Sequence, residues 1–168
     1  QAGVEHAPQE SRWLVEHALG LESHHMASKS LEPVSVEQWE HADSLVSRRA
    51  AREPLQYILG TQEFCGLEFQ VSPDVLIPRP ETEVLVQEAV RAVDLDKDAV
   101  LVDVGTGSGC VAVTLATILG RARIFAVDRS PKALAIAKGN AERCAVAGKI
   151  EWMEGDLLSP LRERGMAG

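Results

Sequence analysis

The segment that most constrains the fold is a glycine-rich loop directly after a short apolar run. The run is Val100–Val104, and the loop is Gly105-Thr106-Gly107-Ser108-Gly109, called the glycine loop below. A continuous apolar run of this length is typical of a parallel strand covered on both faces. Three glycines at alternate positions let the backbone turn sharply and approach a ligand with no Cβ in the way. The pattern predicts a strand, a binding loop and then a helix.

Strands and helices alternate through the second half of the chain. Helices are expected from about 81 to 93, from 109 to 119 and from 131 to 146, and the last has Ser130 as N-cap and Pro131 at N1. Further strands are expected at 123–127 and 149–153. Such alternation implies a parallel, doubly wound α/β sheet of the Rossmann-like kind.

The first sixty residues are predicted to form a small helical domain. A helix over 8–19 stops at Gly20, and a second starts at Ser35, which has Gln38 three residues later as in a capping box. The segment between them, with His24 and His25, is expected to be a solvated loop. The apolar residues expected to form the helix faces are Trp13, Leu14, Ala18 and Leu19 in the first helix, Val36, Trp39, Ala42, Val46 and Ala50 in the second, and Val84, Leu85, Ala89 and Val93 in the helix from 81.

A hairpin is expected between the two parts of the chain. Residues 63–71 alternate in polarity around Gly66, which supplies a turn. We therefore predict a helical domain over 1–60, a hairpin linker over 61–74 and a partial α/β domain over 75–168.

Three acidic residues follow three successive predicted strands. Asp103 ends the strand before the glycine loop, Asp128 ends the next strand, and Asp156 follows the third. The carboxyl ends of parallel strands meet at one edge of a sheet, so these carboxylates are expected to share that edge. Asp103 could accept hydrogen bonds from a ligand's amino group. Asp128, about 20 residues past the loop, is placed to accept from two ribose hydroxyls.

The same stretch argues against two common phosphate sites. A dinucleotide fingerprint needs Gly or Ala at position 110, where the chain has Cys110, and no lysine follows the loop as in a P-loop. A nicotinamide dehydrogenase is therefore disfavoured. A ligand with an amino-acid end and a nucleoside end fits better, and S-adenosylmethionine has that shape.

Composition narrows the partners and the compartment. The formal net charge is -8, which argues against broad binding to nucleic acid. Three scattered cysteines and the lack of clustered ligands predict neither a disulfide framework nor a metal site. No apolar run approaches the ~20 residues needed to span a bilayer. We expect a cytoplasmic protein with no membrane partner.

The segment before the α/β part narrows the family. Leu76-Ile77-Pro78-Arg79-Pro80-Glu81-Thr82-Glu83, called the signature segment below, resembles the motif that precedes the cofactor domain in HemK/PrmC methyltransferases. Residues 53–60 and Glu63-Phe64 resemble that family too, as does a helical N-terminal domain joined by a hairpin. The resemblance implies a class I fold that uses S-adenosylmethionine and methylates the glutamine side-chain amide in the Gly-Gly-Gln loop of peptide-chain release factors.

The resemblance also implies roles for single residues. The glycine loop, with Thr106 and Ser108, would hold the methionine part of the cofactor. Asp128 would hold the ribose, and Asp156 with Leu157 would border the adenine. Arg79, Thr82 and Glu83 would shape an active-site wall; alternatively, Arg79 only pairs with a nearby acid.

One family motif is absent. The Asn-Pro-Pro-Tyr sequence expected after a fourth strand does not occur in the 168 residues, so no catalytic residue is assigned. We expect this chain alone to transfer methyl groups poorly, and Val100–Val104 to form an exposed apolar edge. Alternatives are a methyltransferase for another acceptor, or a module that only binds the cofactor or the release factor.

Overall fold

The computed structural model describes residues 3–21, 33–93 and 99–166. The chain divides into two compact units, residues 1–60 and 61–168. His24 and His25, in the expected loop, lie outside the described residues. The predicted division into a helical domain, a linker and an α/β domain stays a prediction.

The described residues of the first unit form three helices, α1 (Ala7–Leu19), α2 (Val36–Ala50) and α3 (Leu55–Leu59). Helix α1 ends at Gly20, which takes the left-handed conformation with φ 62°. The capping box at the start of α2 is confirmed. Ser35 Oγ accepts from the Gln38 backbone N–H at 3.2 Å, and Gln38 Oε1 accepts from the Ser35 N–H at 2.9 Å. Local sequence therefore determines where α1 ends and where α2 begins.

The buried faces of α1 and α2 differ in part from the prediction. Val36 and Trp39 are 69% and 65% exposed, and Trp13 is 43% exposed, so these three assignments were wrong. Among the described residues, the buried cluster of this unit contains Leu14, as predicted, together with Leu45, Leu55 and Ile58. The predicted residues Ala18 and Val46 pack against it. Leu45 was missed because the stripe that packs is set by the neighbouring helices, and spacing within one helix leaves more than one apolar stripe open.

An ion pair joins the first two helices. Arg49 Nε of α2 lies 2.5 Å from Glu10 Oε2 of α1, and Arg49 also donates to the Glu53 carbonyl at 3.1 Å. Both side chains of the pair are largely buried, so their mutual contact satisfies charges that packing has partly removed from water.

The second unit opens with an antiparallel hairpin of β1 (Thr61–Phe64) and β2 (Leu67–Gln70). Its two turn residues, Cys65 and Gly66, both have positive φ, 50° and 74°, as tight hairpin turns require. Phe64 and Phe69 meet edge to face with ring centroids 6.0 Å apart, and both are buried in the core of the unit.

A three-stranded parallel sheet forms the centre of the second unit and confirms the α/β class. Its order is β3-β4-β5, with β3 (Val100–Val104), β4 (Arg123–Asp128) and β5 (Ile150–Glu154). The other elements described in this unit are helices α4 (Pro80–Ala92), α5 (Cys110–Ile118), α6 (Pro131–Arg143) and α7 (Ser159–Glu163), with a 3-10 turn at Ala147–Lys149. Ser130 caps α6 by accepting from the Ala133 N–H at 3.2 Å, as predicted.

Side chains of β4 alternate between two buried clusters. Ile124 and Ala126 belong to the main core, whereas Phe125 and Val127 pack with residues of β5 and α7. Strand β4 is therefore covered on both faces, as expected for the centre of a parallel sheet.

Strand β3 lies at the sheet edge within the described part of the chain. Val100, Val102 and Val104 are 56%, 39% and 40% exposed, so the prediction of cover on both faces was wrong for this strand, while the prediction of an apolar edge is confirmed. The alternate residues Leu101 and Asp103 face the main core side and are half-buried. Four of the five residues of the strand are apolar, but only one of its faces is packed.

Helix α4 also turns a different face inward. Val86 is buried at 2% exposure, whereas Val84 and Leu85, assigned to the apolar side, are 55% and 57% exposed. Ala89 and Val93 do pack against the core. None of the helices in the described ranges combines the length and apolar character needed to cross a bilayer.

We predict that Thr114→Val stabilises the protein. Thr114 lies in α5 at 1% exposure, and its hydroxyl has no hydrogen-bond partner in the described structure. Valine keeps the shape and removes a buried unsatisfied group, so the free energy of unfolding should rise by about 1 kcal/mol in urea titrations. Thr117→Val is the matched control, because that hydroxyl donates to the Thr114 carbonyl and should give no gain. Equal effects of the two changes would contradict the prediction.

Candidate functional site

The glycine loop is fastened to the end of the central strand. The backbone N–H groups of Gly105 and Thr106 both donate to the Val127 carbonyl, at 2.8 and 3.0 Å. All three loop glycines have φ between 55° and 79°, a region that residues with a Cβ enter at a cost. The loop thus crosses the carboxyl end of β4 before α5 begins.

Gly109, the last residue of the loop, also permits close packing. A Cβ built at this position would lie 2.9 Å from Cβ of Ala137 and 3.2 Å from its Cα. Helix α6 therefore approaches the loop more closely than it could if any residue other than glycine stood at position 109.

Asp103 organises the loop and the helix that follows it. Its Oδ2 accepts from the Thr106 hydroxyl at 2.6 Å and from the Ala112 backbone N–H at 3.2 Å. Helix α5 starts after Gly109, which has no side chain to cap it, so the Asp103 carboxylate takes that role. Burial raises the pKa of Asp103, the hydrogen bonds from Thr106 and Ala112 offset part of the shift, and the charge of Asp128 adds to it.

Asp128 connects the loop to the start of α6. Its Oδ2 accepts from the Gly107 N–H at 2.9 Å, and its Oδ1 accepts from the Ser130 N–H at 2.9 Å. An ionised carboxylate has about four acceptor positions, so each oxygen keeps one for a ligand. The sequence predicted Asp128 as a contact for a ligand, but it did not predict that Asp128 also holds the glycine loop.

A backbone hydrogen bond joins the segment that carries Asp156 to Asp128. The Gly155 N–H donates to the Asp128 carbonyl at 3.0 Å, which places the segment after β5 against the end of β4. Asp156 itself is exposed, and Leu157 is 66% exposed with φ 49°. An apolar residue held in the left-handed region with its side chain in solvent is uncommon and often marks a binding site.

The three predicted acids therefore lie at one edge of the sheet. Asp103, Asp128 and Asp156 follow β3, β4 and β5, which run parallel in neighbouring positions. Two of them bind backbone N–H groups in or beside the glycine loop, and the third is exposed. The arrangement leaves acceptor positions free on the carboxylates, and can therefore bind a ligand with hydroxyl and amino groups.

Cys110, the first residue of α5, is a buried thiol beside the loop. Burial raises its pKa to about 11, so it stays neutral at physiological pH and is a poor nucleophile.

The signature segment has a different set of contacts. Arg79 is exposed, caps α4 with an extended backbone, and forms no ion pair with any acid in the described ranges. The alternative that Arg79 only pairs with a nearby acid also stays a prediction. Glu83 Oε1 accepts from the Cys65 backbone N–H at 2.8 Å and fastens the hairpin turn. The wall role of Arg79, Thr82 and Glu83 stays a prediction.

Asn140 is a buried polar residue that the sequence reasoning missed. It lies in α6 at 0% exposure, and its side chain binds both the backbone of Gln70 and the Ser108 carbonyl of the glycine loop. The available signal was an amide three residues after Ala137, on the apolar side of a predicted helix.

Comparisons with known proteins match both units. Residues 1–60 match the family model of the PrmC N-terminal domain, and residues 80–163 match that of ribosomal protein L11 methyltransferase (PrmA). A release factor glutamine methyltransferase from Geobacter sulfurreducens is 47% identical over 164 residues, 98% of this chain and 56% of the relative. One from Burkholderia pseudomallei is 39% identical over 156 residues, 90% of this chain and 55% of the relative. The chain spans about half the length of these relatives.

Among solved structures, a precorrin 8W decarboxylase from Methanobacterium thermoautotrophicum is similar to part of the chain. The match has 33% identity and a TM-score of 0.48, and covers 56% of this chain and 49% of the other.

We predict that Gly109→Ala damages the loop. The added methyl group meets Ala137 and the residue must keep φ near 79°, so the free energy of unfolding should fall by about 2 kcal/mol. Gly139→Ala is the control, because a Cβ there has no atom within 4 Å and lies in a helix, where alanine should add roughly 0.5–1 kcal/mol. Chemical unfolding of both variants measures the difference, and a tolerated Gly109→Ala would show that the loop is loosely packed.

A second prediction concerns pH. A raised pKa means that the folded protein binds the Asp103 proton more tightly than the unfolded chain does. Wild-type stability therefore declines as pH rises from the ordinary carboxyl value through the raised pKa. Asp103→Asn retains an acceptor oxygen without the charge and lacks this decline. The free energy of unfolding of the variant should therefore rise relative to that of wild type as the pH increases above the ordinary carboxyl pKa of about 3.9. Urea unfolding over a pH series measures this, and a difference that does not change with pH would contradict the assignment.

Proposed function

Because the chain belongs to the family of release factor glutamine methyltransferases, we propose that it binds S-adenosylmethionine at the glycine loop for methyl transfer to a release-factor glutamine. The observation that carries the proposal is the edge formed by the glycine loop, Asp103, Asp128 and Asp156. Its backbone N–H groups and carboxylates are already ordered by hydrogen bonds within the protein.

The residues present fit the chemistry of this cofactor. The glycine loop would receive its methionine part, where the absence of Cβ atoms permits close approach. The acceptor positions left on Asp128 suit the two ribose hydroxyls. Asp156 and the exposed, conformationally constrained Leu157 would border the adenine, which needs an apolar surface and a polar edge.

The cofactor supplies an electrophilic methyl group on a positively charged sulfur. The carboxylates of Asp103 and Asp128 would favour that positive charge when the cofactor is bound. The acceptor is a primary amide, whose nitrogen is a poor nucleophile because its lone pair is delocalised into the carbonyl. Positioning of that nitrogen on line with the methyl group then supplies much of the acceleration. In the family, the Asn-Pro-Pro-Tyr motif would hold this amide. The 168 residues contain no such sequence, so we assign no residue of this chain to that role.

The two matched family models suggest different acceptors. The model over 80–163 is named for ribosomal protein L11, and the model over 1–60 for PrmC. We favour the release factor, because the relatives that match nearly the whole chain carry that name.

For Arg79, exposed and unpaired with the described acids, we retain the proposal of an active-site wall residue. We also propose a cytoplasmic location, which three unpaired cysteines support.

We predict that the 168-residue chain binds S-adenosylmethionine and that Asp128→Ala weakens binding by at least about tenfold. The change removes the acceptor for two ribose hydroxyls and releases Gly107, and each lost charged hydrogen bond is worth about 1.5–3 kcal/mol. Isothermal titration calorimetry gives the dissociation constants. Glu142→Gln, an exposed change on α6, is the control for loss of negative charge. Equal weakening by both changes would indicate a general charge effect, and absence of binding by the folded chain would contradict the cofactor site.

The acceptor is tested with the natural protein that carries this sequence. We expect transfer of labelled methyl groups to a peptide-chain release factor, and loss of labelling when the glutamine of its Gly-Gly-Gln motif is replaced by alanine. Labelling of ribosomal protein L11 instead would assign the chain to the other acceptor and overturn this part of the proposal.

A further inference from the structure

We propose that Asn140 is a positioning residue that couples the hairpin to the glycine loop, so that the order of β2 controls the affinity of the loop for its ligand. The hairpin and the loop lie far apart in sequence and share no direct backbone hydrogen bond in the described residues. One side chain joins them.

The contacts of Asn140 use its whole amide group. Its Oδ1 accepts from the Gln70 backbone N–H at 2.8 Å. Its Nδ2 donates to the Gln70 carbonyl at 3.0 Å and to the Ser108 carbonyl at 2.9 Å. Both donors and one acceptor position are thus satisfied at a site with no exposure to solvent. Only a neutral side chain with one acceptor and two donors at this distance from the helix makes all three bonds.

The geometry at Gln70 resembles strand pairing. Asn140 accepts from the N–H and donates to the carbonyl of the same residue, as a neighbouring strand would. The last residue of β2 is therefore fixed to α6. The hairpin also places Phe64 and Phe69 in the buried cluster of this unit, which fixes its position by packing as well.

Helix α6 restrains the peptide between Ser108 and Gly109 by two separate contacts. Ser108 is buried at 2% exposure, and its carbonyl is held by Asn140. The next residue, Gly109, lies against Ala137, one turn before Asn140 on α6. The helix therefore positions the loop by a steric contact and a hydrogen bond on the same face. A loop held in this way loses less conformational entropy when a ligand binds.

The effect on ligand affinity rests on the proposed function, whereas the link between hairpin and loop does not. Two measurements separate them. The first follows amide hydrogen exchange by nuclear magnetic resonance in the 18.2 kDa chain without cofactor. The second measures S-adenosylmethionine affinity by calorimetry for the same variants.

Asn140→Ala removes all three bonds, and Asn140→Asp retains the acceptor for Gln70 but loses both donors. We expect exchange at the Gln70 amide to accelerate about tenfold or more in the alanine variant, as loss of a buried hydrogen bond implies. In the aspartate variant that amide should stay protected, while amides of residues 105–109 should exchange faster. Val86→Ala controls for general destabilisation of the core, and Lys138→Ala for an exposed change on the same helix.

For the affinity arm we expect both Asn140 variants to bind S-adenosylmethionine about tenfold more weakly than wild type, and both controls to bind as wild type does. Exchange that rises evenly over the unit in Asn140→Ala, as in Val86→Ala, would overturn the link. Faster local exchange with unchanged affinity would overturn control of the ligand site. If wild type itself failed to bind, the proposed cofactor would fall, and the exchange data would still decide whether Asn140 couples the two elements.

Discussion

The candidate site depends on how the carboxyl end of β4 is used. The Val127 carbonyl accepts two N–H groups from the start of the glycine loop, and the next residue, Asp128, accepts a third from Gly107. The carbonyl of Asp128 also accepts from Gly155 after β5. Because β4 is buried on both faces, these two residues form a fixed base to which the loop and the third acid are attached. The order of the parallel strands thereby determines where the glycine loop and the acids lie relative to one another.

Two of the acids at this edge, Asp103 and Asp128, also stabilise the protein's own structure. Asp103 caps α5 and binds Thr106, and Asp128 binds Gly107 and Ser130. A carboxylate that serves backbone N–H groups before any ligand arrives is held in one orientation, so binding costs little reordering. The cost is electrostatic: burial of Asp103, with Asp128 nearby, raises its pKa. Functional edges of this kind combine partly desolvated charge with a rigid frame.

The signature segment and the hairpin gain a common interpretation from their contacts. Glu83 fastens the hairpin turn through Cys65, and Asn140 fastens the end of β2 through Gln70. The hairpin is thus held at both ends by polar side chains of the α/β unit, while two phenylalanines anchor its middle. The hairpin thereby contributes two buried phenylalanines to the core of the second unit.

The sequence by itself determined the features that depend on neighbouring residues. These are the capping box at Ser35, the turn at Gly66, the strand–loop–helix unit around the glycine loop, and the placement of three acids after parallel strands. Tertiary structure decided which faces are buried. Leu45 and Val86, rather than Trp39 and Leu85, enter the cores. It also decided that β3 exposes one face and that Asn140 joins two distant segments. The physical reason is that caps and turns are satisfied within a few residues, whereas burial and long-range hydrogen bonds depend on elements far away in the chain.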